Sequence, residues 1–199
     1  MLSRSLEYAM DYKELKSGVR RATEEAGKKF VLSLVIIPVS LVMAFYISGI
    51  MLGLLSLHIL SGFIWFLLVV GSPVVIGTIE LGYVKQTKYE MFVRNIPCFT
   101  FMAFASGLTA VLSGTLLFFT PSVQSTDVVT WRVLALGAGW FIFVLGLIGP
   151  NRFHLGVYYE EKSNIPDHNR IRYLNRKNLI VGGFESLLIT GFVVAMNFL

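Results

Sequence analysis

Residues 30–79 contain no Asp, Glu, Lys or Arg. As one straight helix this stretch would run ~75 Å, against a hydrocarbon core ~30 Å thick that takes about 20 residues. The stretch must therefore turn back once. Small residues gather at only one suitable place, Ser48-Gly49 to Gly53, which predicts spans at about 30–50 and 54–79. A third charge-free run covers 95–126, with Thr120-Pro121-Ser122 marking the end of its helix. A fourth covers 133–151, with helix continuing towards Tyr158. The last, 178–199, carries one charge, Glu185. The expected fold is all-α and polytopic, with five transmembrane helices at about 30–50, 54–79, 96–120, 133–157 and 178–198. Composition points the same way: 15% of the 199 residues are charged, where a soluble domain carries about 25%. That balance excludes disorder and an ordinary water-soluble enzyme. The single cysteine, Cys98, excludes a disulfide scaffold.

The basic residues set the expected orientation. Seven lie in residues 1–29, three in 80–94 (Lys85, Lys88, Arg94) and six in 152–177 (Arg152, Lys162, Arg170, Arg172, Arg176, Lys177). Only Arg132 lies elsewhere. Five spans place these three groups on one side, the cytoplasmic side by the positive-inside rule, with the C-terminus outside. Residues 1–29 hold five acidic side chains as well, and the apolar run behind them is too long for a signal peptide. Leu15, Val19, Ala22 and Ala26 recur at helical spacing, which predicts a cytoplasmic juxtamembrane amphipathic helix, lying on the headgroups or docked on a partner. Anionic lipid is the expected partner of the basic side, and no basic module for nucleic acid is present. The connection 158–178 reads as a cytoplasmic loop with a short amphipathic turn (Ile171, Leu174) before the last span.

Within the spans, polar residues are few enough to take one at a time. His58, Ser61, Gly62 and Trp65 share a helix face, which Ser72 continues. An imidazole beside small residues leaves a slot where a flat macrocycle could sit, and an ionisable group at this depth tends to be functional; a backbone-bonded interfacial histidine is the plain alternative. Met51 and Met196 gather at the same boundary, so imidazole plus thioether could also suit a His/Met haem or Cu(I). Ala103, Gly107, Ala110 and Gly114 form a small-residue face on the third span, suited to close helix packing. Glu185 sits ~12 Å deep, where a lone carboxylate is costly unless paired or protonated. Proton relay and a structural hydrogen bond are both open to it. His154 falls at the cytoplasmic boundary with Arg152, Glu80 and Arg94 as neighbours in depth, an expected polar network. It is more than ~20 Å from His58 along the membrane normal, so the two cannot ligate one haem. No Gly-rich phosphate loop, HExxH, CxxC or GxSxG motif occurs.

The stretch Leu57-His58-Ile59-Leu60 with Trp65 resembles the "LH…W" opening of a loose superfamily of bacterial and archaeal membrane proteins. It includes the copper-resistance D (CopD) domain, the HemJ-type protoporphyrinogen oxidase and an uncharacterised family of integral membrane proteins. Tyr89-Glu90-Met91-Phe92-Val93-Arg94, leading to Gly107 and Leu112-Ser113-Gly114, is similar to the next element of that pattern. The resemblance covers about residues 54–160. It implies a four-helix membrane core, with the first span an addition. In the HemJ-type branch it implies haem b on the first core histidine, here His58. That branch also uses a lysine in a later core helix, and no span here contains one. The expected function is a haem-b-binding or quinone-linked redox membrane protein of a prokaryotic cell membrane, a subunit of or accessory to an electron-transfer complex. Ser61 and Gly62 would make room, Trp65 would line the pocket and Met196 would offer a distal ligand. A structural subunit bound to other membrane proteins and a copper-handling protein are the alternatives.

Overall fold

The computed structural model describes residues 20–80, 86–120 and 126–196. Residues 20–26 are helical, and six longer helices follow: α1 (Lys28–Ile47), α2 (Met51–Glu80), α3 (Gln86–Phe118), α4 (Thr126–Ile148), α5 (Pro150–Glu161) and α6 (His168–Met196). No strand occurs among the described residues. Five stretches are long and apolar enough to cross a membrane: Lys28–Ile47, Met51–Thr78, Phe92–Phe118, Val133–Glu161 and His168–Ala195. The chain is thus an all-α, multi-pass membrane protein. Large apolar side chains such as Ile47, Leu52, Ile59 and Leu187 point outward, as expected where lipid is the solvent.

The turn-back between the first two spans falls where the small residues are. Gly49 adopts φ 69°, a left-handed conformation that glycine reaches without a Cβ clash. It lets the amide of Ile50 donate back to Phe45 O at 3.2 Å. The fourth crossing is broken. Gly149 separates α4 from α5, which opens on Pro150, because proline can neither donate to the preceding turn nor continue it without a clash.

The helix of the fifth crossing starts earlier than expected. Of the connection 158–178, only 162–167 is non-helical, and α6 is continuous from His168. Asp167 explains the start: its Oδ1 accepts from the amides of Asn169 (2.9 Å) and Arg170 (3.2 Å), an N-cap. Glu160 braces the same corner, accepting from the Asp167 amide at 3.2 Å and pairing with Arg170 at 3.1 Å. Ile171 and Leu174, expected in a short turn, are buried on the first turns of α6.

Four crossings form the core. Around the bundle, α2 packs on α3, α3 on α4 and α5, these on α6, and α6 on α2, while α1 leans on α3 and α2. One apolar cluster lies at the basic end, joining Ala22 to Val93, Ile96, Leu155, Val157, Tyr158, Ile171 and Leu174. Ala22 of the amphipathic segment is thus buried against the bundle; Leu15 and Val19 lie outside the described residues. The second cluster lies further along the axis and contains Trp65, Val69, Ala110, Val111, Ile142, Phe143 and Ile189.

Candidate functional site

Two separate places bring polar side chains into the bundle. The first is His58, on the second turn of α2. Its Nδ1 lies 2.9 Å from Ala110 O and 3.3 Å from Ser113 Oγ. A carbonyl can only accept, so Nδ1 carries a proton, and in the neutral ring the lone pair is then on Nε2. The ring rests on the small-residue face of α3: a Cβ on Gly114 would meet the His58 Cε1 at 2.9 Å. Ser61 turns its hydroxyl to its own helix, on Leu57 O and His58 O. Open space surrounds the position of a Gly62 Cβ. Met51 is in contact with Thr120, whose hydroxyl lies 3.9 Å from its sulfur. The Met196 side chain lies outside the described residues. Trp65 is not part of this place. It packs edge-on against Phe143, with ring centroids 6.1 Å apart, over the gap left by Gly107.

The second place is a small chamber between the core helices, of about 40 Å³ and partly open beside the exposed Phe99, to which every core helix contributes. Its polar lining is Ser72 from α2, Thr100 from α3, Asn151 and His154 from α5, and Glu185 from α6. Trp65, Phe99, Phe104 and Phe143 supply aromatic walls. Glu185 is only 2% exposed and Thr100 8%. Three of the polar atoms here, Thr100 Oγ1, His154 Nε2 and Glu185 Oε1, are shut off from solvent and have no hydrogen-bond partner.

Thr100 shows that this is not a habit of the helices. Ser61, Thr78, Ser106, Thr109, Ser113, Thr115 and Ser186 each donate to a carbonyl three or four residues back, the usual outlet for a hydroxyl in an apolar helix. Thr100 does not, and its hydroxyl lines the chamber instead. Glu185 reaches the chamber because α4 yields to it: a Cβ on Gly146 would lie 2.5 Å from Glu185 Oε1. Orphaned buried polar atoms converging on a cavity call for water. A cavity of this size holds about three or four molecules at most, at ~10–15 Å³ each.

Of the polar network expected around His154, only His154 lines the chamber, and there it meets Glu185, which the sequence had not joined to it. Arg94 is exposed, Arg152 is half-buried beside the chamber-lining Asn151, and the Glu80 side chain lies outside the described residues. His154 shares the chamber with Ser72, which lies fourteen residues along α2 from His58, ~21 Å of helix. The sequence reading missed Thr100 and Asn178. Asn178 is 1% exposed, and both of its side-chain amide atoms lack partners. Its position seven residues before Glu185 on one helix face was the available signal. Among the described residues, no three His, Cys, Asp or Glu side chains come together as a metal site.

No family model, curated protein or solved structure matches this chain. The functional reading therefore stands on the two places just described.

Proposed function

We propose that this protein handles protons inside the membrane, with this chamber as its working site. The observation that carries this reading is the convergence of Thr100 Oγ1, His154 Nε2 and Glu185 Oε1, all buried and unpartnered, on one small cavity. A carboxyl and an imidazole joined through water can pass a proton between them, and Thr100 can donate to or accept from the bridging water. Intramembrane acids and histidines placed this way are the working parts of proton relays. The test is infrared difference spectroscopy of the purified protein through a pH titration, with Glu185→Gln identifying the Glu185 signal. His154→Gln is expected to shift the titration of that signal. If it titrates identically with and without His154, the two groups share no proton and the reading is wrong.

A second reading, haem-b binding at His58, is favoured by one feature of that residue. Its Nδ1–H is tied to Ala110 O, which fixes the ring and leaves Nε2 as the basic nitrogen, the arrangement found in ligating histidines. The residue therefore suits axial ligation, and the family resemblance adds to it. A bound haem would supply one-electron transfer. The protein's own part would be to orient the His58 ring on Gly114 and Ala110. The chamber would then serve the protons of a redox system, quinone-linked or otherwise. After haem-replete expression, a reduced-minus-oxidised spectrum lacking Soret and alpha bands would discard this second reading and leave the first intact. In either reading the basic end faces the cytoplasm and its anionic lipids, in a prokaryotic cell membrane.

A further inference from the structure

We infer that the chamber opens for protons towards the basic end alone, through Asn178, and is closed towards the His58 end by an aromatic plug. The inference rests on the proton-handling reading of the chamber and adds a direction to it.

On the basic side, polar groups continue beyond the chamber. Asn178 lies seven residues before Glu185, ~10.5 Å along α6, and is buried with both amide atoms unpartnered. Gly182 lies between them. A Cβ there would sit 3.7 Å from Asn178 Oδ1 and 3.7 Å from Pro150 Cγ, and Pro150 itself lines the chamber. Only the absent Gly182 side chain, a methyl-sized space, thus separates the Asn178 amide from the chamber wall at Pro150. Asn175, also buried, stands one turn nearer the basic end. An unpartnered amide beside such a space is a natural stepping stone for water.

On the other side the chamber meets apolar packing. Phe143 takes Trp65, Phe104 and Trp140 around it, with centroids 6.1, 5.9 and 6.0 Å away. Val111, Ile142 and Ile189 are buried in the same cluster. The polar groups at this level are satisfied: Trp140 Nε1 donates to Thr115 Oγ1 at 3.1 Å, and Ser186 Oγ bonds to Val69 O at 2.9 Å. None of the orphaned side-chain atoms among the described residues lies on this side. Only Glu185 and His154 titrate among the residues lining the chamber; α2 and α3 add hydroxyls, and α4 adds no charge. Arg176 and Lys177 immediately precede Asn178 on its own helix.

The experiment is a pH jump on the full-length protein in lipid, following the infrared signal of Glu185. Two glycines make a matched pair. Gly182→Val fills that space on the basic side. Gly139→Val adds bulk on the plug side, where a Cβ would lie 3.9 Å from Val111. Gly182→Val is expected to slow the Glu185 response tenfold or more, and Gly139→Val to change it less than twofold. Asn178→Leu, which adds no bulk at the glycine, should also slow it tenfold. Equal slowing by the two valine variants, or a His154-coupled Glu185 signal unaffected by both Gly182→Val and Asn178→Leu, would overturn the direction alone. A wild-type protein without any Glu185 signal would overturn the chamber reading, and the direction with it.

Discussion

Thr100 is the residue where the two uses of a hydroxyl in a membrane helix part company. Its neighbours along α3 are satisfied by their own backbone, and it alone of the described α3 hydroxyls is left to the chamber. Thr100→Val keeps the shape and removes the hydroxyl. Were the chamber dry, the change would be neutral or stabilising, since it deletes an unsatisfied group. With water bridging the site, the variant is expected to lose about 1 kcal/mol in thermal unfolding and to weaken the His154–Glu185 coupling. Gly146→Ala acts on Glu185 from outside. Its methyl would occupy the carboxyl's position, so the Glu185 infrared signal should shift while the His58 environment stays as it is. Glu185 and His154 were both visible in the sequence, because a lone ionisable group in an apolar run stands out by itself. Their meeting was not, since it depends on Gly146 and on how α5 leaves the Gly149–Pro150 break. A threonine in a span carries no mark that separates a back-bonded hydroxyl from one turned inward.

The helices were legible to different degrees, and the reasons are physical. The α1–α2 turn followed from length alone, because 50 charge-free residues cannot cross ~30 Å of hydrocarbon without returning. The start of α6 was hidden by charge. Residues 168–177 are too polar to be read as membrane, yet the Asp167 cap and the buried Ile171 and Leu174 make them the first turns of the same helix. Asp167→Ala should cost about 1 kcal/mol, seen as faster amide exchange confined to the first turn of α6. The α4–α5 break is held in place by close approach. A Cβ on Gly149 would lie 2.7 Å from Val181 Cγ1 and 3.0 Å from Leu145 O. Gly149→Ala is therefore expected to destabilise by about 1–3 kcal/mol, measured by thermal unfolding in detergent. Gly182→Ala, with only ordinary contacts at its Cβ, should not.

At the scale of the whole molecule, the four core crossings and the leaning α1 gather the unpartnered buried side-chain atoms of the described residues in the basic half of the bundle, while the polar groups of the other half, His58 among them, are hydrogen-bonded. The separation of His58 from His154 was foreseeable from the sorting of Lys and Arg, since topology fixes depth. The chamber was not, because depth says nothing of which helix faces meet. If the basic end is cytoplasmic, impermeant labels on intact cells should react with a cysteine placed in 121–125 and not with one placed in 81–85, both in a Cys98→Ala background. The reverse pattern would invert the orientation. The chamber's position also has an electrical consequence. Glu185 lies eight residues beyond Lys177, the last cation before it on α6, ~12 Å into a core of ~30 Å. A proton arriving from that end crosses about two-fifths of the transmembrane voltage, worth about 0.9 kcal/mol per 100 mV. Occupancy of the carboxyl would then follow membrane polarisation by about fivefold per 100 mV, making an energised membrane itself one of the reactants.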